Sequence, residues 1–192
     1  MRLRANSAPI LILISLLPMS GIILNAEGRL PPTSLPLRTR SNREIENCQL
    51  WHLSRFEWGQ LEDPKAFPGA RRVNDACPVY NCHGLTFGSR RTSVYSSPLF
   101  ILNEDGFQEV AERNAQVGDI VVYFDSQGLE SHTGIVIGEE YLSFDGESST
   151  KRGKLPLIWS KWGKGFEVVH LLGNCPYDAS TAKFFRLTWR EK

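Results

Sequence analysis

The feature that most constrains the fold is a change of hydrophobic period at Gly118. Beyond it the apolar residues fall in short strand-length blocks: "DIVVYFD" at 119–125, "HTGIVIG" at 132–138, "YLSFD" at 141–145, "LPLIWS" at 155–160, "FEVVHLL" at 166–172 and "FFRLTW" at 184–189. Before it the pattern is helical. Ser41 with Glu44 reads as a capping box, and Ile45, Cys48, His52 and Phe56 recur at helical spacing with Leu53 beside them. Gly59 and Pro64 then stop that helix. Residues 59–80 carry turn signals at Pro68-Gly69 and Pro78. A short helix is expected from about Asn81 to Ser89, and another piece over 104–114 would put Phe107, Val110 and Ala111 on one side. Helices first and a meander of strands second predict an α+β fold, with helices packed on an antiparallel β-sheet.

The 192 residues suffice for one domain with a sizeable core. The first residues read as an export or anchoring segment: Arg2 and Arg4 form a basic end, and residues 5–26 follow without a charge. A cleaved signal peptide and a retained membrane anchor both fit, since the run is about long enough to span a bilayer but is interrupted by Pro9, Pro18 and Gly21. The chain would then be secreted or periplasmic, or else held at a membrane by residues 5–26. Residues 27–40, with three prolines, read as a tether, leaving 41–192 as the domain. The net charge of +1 excludes the charge excess of a nucleic-acid binder. Export would permit one disulfide among Cys48, Cys77 and Cys175, leaving Cys82 free; the cysteine spacing does not suit zinc.

The segment "VYNCHGLTFGSRR", 79–91, is where chemistry concentrates. Asn81 is a good N-cap and would place Cys82 at the first helical position, beside free backbone N–H groups that favour a thiolate. Gly84 would leave the turn open to a substrate. The Cys82 N–H is the natural oxyanion donor, with Tyr80 or a residue of 59–78 as a second. His132, at the mouth of a later strand and followed by Thr133 and Gly134, is the candidate general base for Cys82. His83 adjoins the nucleophile but diverges from it by about 100° on a helix, which makes it a lining residue. For the group that orients His132, Asp145 is the first choice. Ser160 is the second, with Lys161, Glu167 and His170 as further rivals. In "SKWG", 160–163, Trp162 reads as packing and Lys161 as a solvated lysine. Trp51, Trp58, Trp159 and Trp189 read as core or core-edge residues.

On "NCHG" at 81–84, "VGDIVVYF" at 117–124 and "HTGIVIG" at 132–138, residues 75–175 resemble the NlpC/P60 and CHAP branch of the papain-like cysteine peptidases and amidases. Cys82 and Gly84 match the family's Asp-Cys-Ser-Gly motif, Gly118 and Asp119 its "PGD" strand, and His132, Gly134 and Ile135 its "H-x-G-I". The chain departs from the family at Asn81, His83 and Val117. Cys82 precedes His132, unlike the order in the permuted lecithin:retinol acyltransferase relatives. The resemblance implies a papain-like fold, with the nucleophile at the N-terminus of a helix. It also implies amide hydrolysis by a Cys-His mechanism without cofactor or metal, commonly on peptidoglycan stem peptides.

Two alternatives stay open. One is an acyl- or glutamyl-transfer enzyme of transglutaminase type, with the same thiol intermediate; the other is a catalytically inactive binding domain of the same fold. The implied partner is a peptide or peptidoglycan-like substrate, joined by a protein inhibitor if the chain is a secreted toxin.

Overall fold

The structure is a computed structural model and describes residues 32–142 and 153–188. These lie in one compact unit that starts at Pro31. In chain order its elements are β1 (Asn47–Cys48), α1 (Arg55–Gly59), β2 (Arg71–Asn74), α2 (Cys82–Phe87), β3 (Ser93–Val94), α3 (Pro98–Glu104), β4 (Phe107–Val110), β5 (Ile120–Phe124), β6 (Glu130–Leu142), β7 (Gly153–Lys161), β8 (Glu167–Leu171) and β9 (Lys183–Leu187). A seven-stranded sheet runs β2-β8-β7-β6-β5-β9-β4, every pairing antiparallel, and β1 pairs with β3 apart from it. The fold is therefore mixed α+β, with helices packed against a large antiparallel sheet.

Strand residues alternate sides, and the two faces of the sheet bury different sets. On one, Val121, Tyr123, Val136, Ile158, Val168 and Phe184 build the main core. On the other, Ile120, Val122 and Phe185 meet Leu102 of α3 and Phe87 of α2. Asp119, two residues before Val121, is buried and structural. It accepts from the Gln116 amide at 2.8 Å and pairs with Arg186 through both carboxylate oxygens.

Several expected elements are corrected. No helix begins at Ser41: Arg38 and Glu44 form a β-bridge around a turn in which Asn42 takes φ 66°. The capping box exists one segment later. Ser54 and Glu57 satisfy each other's backbone N–H groups and start α1. His52 is exposed and Phe56 is 76 % exposed, so the helical spacing from Ile45 marks no shared face. Trp51 and Trp58 are likewise exposed, not core-edge.

The helix expected over 104–114 ends before it starts, because Gly106 at φ 82° closes α3; Phe107–Val110 instead pairs with β9. The block at 132–138 and the first two residues of the next, Tyr141 and Leu142, join into the single strand β6, which bulges between Val136 and Gly138 rather than turning there; 143–145 lie outside the described residues. Within the expected tether, Thr33 bridges Gln49, and Asn47 Nδ2 donates to the Leu35 carbonyl at 2.8 Å. The described part of that stretch, 32–40, is docked on the domain. Residues 1–31 and Trp189 lie outside the described residues.

Candidate functional site

α2 forms as the sequence predicts. The Asn81 side chain accepts from Gly84 N–H at 2.8 Å and donates to the Val94 carbonyl at 2.9 Å, so one cap both starts the helix and ties it to β3. Gly84 has a different task from the one expected. A methyl group there would fall onto the Thr92 carbonyl oxygen. The glycine lets backbone pack on backbone and opens nothing to a substrate.

Cys82 is the first residue of α2, buried and free. Burial pushes its thiol up to about 11, and the backbone amides of Thr133, His83 and Cys82 itself, with the charge of Lys161, pull in the opposite sense. The Thr133 amide is available for a geometric reason. Val136 exchanges its hydrogen bonds with the Gly118–Asp119 end of β5, so by alternation Thr133 turns its N–H toward β7. The β6–β7 ladder has its last pair at Gly134 and Ser160, and the Thr133 amide lies just past it.

Register then decides which side chains α2 meets. Thr133 shares a face with Lys161 and Glu167, while His132 shares the opposite face with Tyr123, Ser160 and His170. The hydroxyls of Thr86 in α2 and Thr133 hydrogen-bond at 3.0 Å, which fixes the first face as the one under α2. Thr133, and not His132, therefore looks straight at the helix. His132 adjoins the thiol through its neighbour's amide, with no hydrogen bond between Cys82 Sγ and its ring.

The state of His132 is unusual. It is completely buried, and neither Nδ1 nor Nε2 has a partner. Its ring stacks on Tyr177 with centroids 3.6 Å apart and planes 6° from parallel. Burial, with His170 and His83 nearby, drives its pKa well below the ordinary histidine value. On the same face Ser160 Oγ lies 2.9 Å from His170 Nε2, and His170 Nδ1 lies 2.8 Å from the Leu171 carbonyl. Nδ1 must donate to that carbonyl, so Ser160 donates to Nε2. Ser160 therefore serves His170, not His132. His170 is lowered to about 4, chiefly by burial. Asp145, the first choice to orient His132, lies outside the described residues.

The α2 face holds a contrasting group. Glu167 is completely buried, and its carboxylate accepts from Tyr80, from Asn74 at 2.7 Å, from Trp159 Nε1 at 3.1 Å and from Arg90 at 2.9 and 3.0 Å. Burial alone would raise its pKa, but these donors outweigh it and the net shift is downward. The Tyr80 hydroxyl is committed to Glu167, which removes it as a second oxyanion donor. Lys161, expected to be solvated, is completely buried. Its ammonium sits 4.6 Å from the Tyr80 ring centroid and donates to the Gly165 carbonyl.

Trp162 is buried as expected and packs edge-on against Phe67 at 5.0 Å; its indole N–H is unpartnered. Trp162 and Tyr177 also line a cleft of about 270 Å³ with Leu53, Leu61, Glu57 and Lys164. His83 is half-buried with Nε2 unpartnered, and burial lowers it to about 4. All four cysteines are free, so the disulfide that export would permit is not formed. Among the described residues no group of His, Cys, Asp and Glu could hold a metal ion, and no helix is long and apolar enough to cross a membrane.

Sequence reasoning missed Tyr177, the amide of Thr133 and the buried Lys161–Tyr80–Glu167 group. Period-two alternation held a signal for part of this, because it assigns residues 132 and 133 to opposite faces. No family model matches the chain, and neither a curated protein nor a solved structure matches it.

Proposed function

We propose that the chain is a cysteine-dependent amidase or peptidase of papain-like type, with Cys82 as nucleophile and His132 as general base, in a closed resting state. The observation that carries this reading is the bare imidazole of His132 beside the strand end where Cys82 is buried. Leaving a buried polar atom without a partner costs about 1–3 kcal/mol, and a purely structural histidine at this position would be replaced by an apolar ring at no loss. Two unpartnered nitrogens one residue from the amide that turns to the Cys82 thiol make sense as acceptors held for a proton.

In the resting state both groups are neutral: burial raises the thiol to about 11 and lowers the imidazole. Entry of substrate along the cleft floored by Trp162 and Tyr177 would displace the Tyr177 ring from His132. The imidazole would then take the thiol proton, the thiolate would attack an amide carbonyl, and the imidazolium would protonate the leaving amine. Water activated by His132 would release the acyl group. Peptides of the peptidoglycan-stem kind are the first substrates to test. The assay is mass-spectrometric analysis of stem-peptide digests. Cleavage by the wild type that vanishes in Cys82→Ala supports the reading; cleavage that survives in Cys82→Ala overturns it. A Cys82 that takes up no acyl group from any peptide amide favours an inactive scaffold.

A further inference from the structure

We propose that the outer edge of β2 is a docking site for an extended, acidic segment of peptide, which joins the seven-stranded sheet as a further strand. The inference does not rest on the chemistry of Cys82. β2 ends the sheet and pairs only with β8, and all four of its residues are exposed. The phase of the ladder decides which of its backbone groups are free. Trp162 N–H donates to the Phe166 carbonyl and Leu172 N–H to the Pro156 carbonyl. Val168 and His170 therefore turn their backbone groups to β7, and Glu167 and Val169 turn theirs to β2. Arg71, opposite Val169, is spent on β8, while Arg72, opposite Val168, points its N–H and C=O outward. Among the described residues no hydrogen bond uses either group. A donor and an acceptor on one residue fit a peptide strand, whereas an anion would meet only the donor.

A groove of about 570 Å³ borders this edge. Trp58, Leu61 and Phe166 give it an apolar lining, and Lys65, Arg71 and Arg72 a charged one; Trp58 is half exposed. Arg71 and Arg72 project to opposite faces of the sheet, so a groove that both line passes along the edge of the strand. Asp63, the acid in this lining, accepts from the Lys65 amide at 3.0 Å. Arg72 pairs with Asp75 and lies over the Phe166 ring, 4.4 Å from its centroid. Lys65 and Arg71 form no ion pair among the described residues. Arg71 also borders a second hollow with Glu139 and Glu140, where Glu139 is taken by Lys154. The groove thus holds cations in excess of acids, and the strand that complements it carries carboxylates beside apolar side chains. At Leu61 it meets the cleft floored by Trp162 and Tyr177.

Charged residues on an edge strand also guard it against self-association, and the test separates docking from that role. It is the fluorescence anisotropy of a short fluorescein-labelled peptide of alternating glutamate and valine, titrated with the full chain at low salt. Saturable binding is expected, about tenfold tighter than for the matching lysine–valine peptide and weakening as salt is added. The same glutamate–valine peptide N-methylated throughout cannot donate to the Arg72 carbonyl, and is expected to bind about tenfold less tightly. Lys65→Glu combined with Arg71→Glu is expected to cost about tenfold in affinity with the melting temperature unchanged.

Arg72→Pro removes the outward N–H and leaves the ladder to β8 intact. It is expected to bind about fivefold more weakly than Arg72→Ala, which loses the side chain alone. Should Arg72→Pro fail to fold, the N-methylated peptide tests the same backbone pairing from the ligand side. Cys82→Ala is expected to bind the probe as the wild type does, so docking and the proposed cleavage are read separately. Absence of saturable binding overturns the proposal. So does equal binding of the glutamate and lysine peptides, or an N-methylated peptide bound as tightly as its parent; β2 would then be an edge whose charges only keep other strands away.

Discussion

Glu167 and His132 are both wholly buried polar side chains at the same end of one sheet, on opposite faces, and they are treated in opposite ways. Glu167 has four donor residues around its carboxylate, whereas neither nitrogen of His132 has a partner. A buried network with every member satisfied rigidifies a fold. A buried ring with neither nitrogen partnered is destabilising and calls for an explanation. The comparison separates a fully satisfied network, which ties the Tyr80 end of α2 to the sheet, from the unsatisfied ring on which the proposed chemistry depends.

The largest effect expected from a single substitution is at Glu167. Glu167→Ala strands the Tyr80 hydroxyl and the Trp159 indole N–H in the interior and frees Arg90, which is partly exposed and so contributes less. A loss of about 3 kcal/mol is expected, read from urea denaturation.

Acid comes next, and it acts on buried histidines of the sheet and of α2. His170 and His83 are both lowered to about 4, chiefly by burial, and His132 is lowered as well. Depressed histidines bind fewer protons folded than unfolded, so stability is full above their unfolded value near 6.5 and falls as pH drops toward about 4. Between pH 7 and pH 5 the urea midpoint should fall, with about 2 kcal/mol lost for a histidine shifted this far. Glu167 adds nothing in that window, since a lowered carboxylate loses its contribution only at lower pH.

Ser160→Ala removes the donor to His170 Nε2 and should cost about 1 kcal/mol, measured in the same way. The smallest effect has the opposite sign. His132→Phe keeps the stack on Tyr177 and deletes two unpartnered nitrogens, so stability should hold or rise by up to about 1 kcal/mol. A clear loss would place His132 in the same structural class as Glu167.

The sequence carried some of this and withheld the rest for identifiable reasons. The α+β layering, α2 with its Asn81 cap and the strands beginning near 120, 155, 167 and 183 followed from period and capping, which are local. The helix expected at Ser41 failed because two Ser-x-x-Glu boxes lie close together and only the second sits where the chain can turn helical. The piece at 104–114 failed because a Gly with positive φ outranks apolar spacing.

At the site, Cys82 and His132 could be named from motif and order, but their relation depends on which face each strand residue takes, and that is set by pairing across β5, β6 and β7. The burial of Lys161, the full coordination of Glu167 and the stacking of Tyr177 arise between segments distant in the chain. Asp145 falls at 145, outside the described residues, so the orienting role read for it has no geometric counterpart here.

The most direct test of the central claim, that Cys82 and His132 form a reactive pair in an opened site, is the pH profile of iodoacetamide labelling at Cys82 in the wild type against His132→Phe. The reagent reaches the thiol only when the cover over it opens, so the rate reports the thiolate fraction of that open state. The account predicts labelling of the wild type well below pH 8 and a midpoint at least one unit higher in His132→Phe, with the fold intact. Identical profiles in the two proteins would contradict it and leave Cys82 as a buried core thiol.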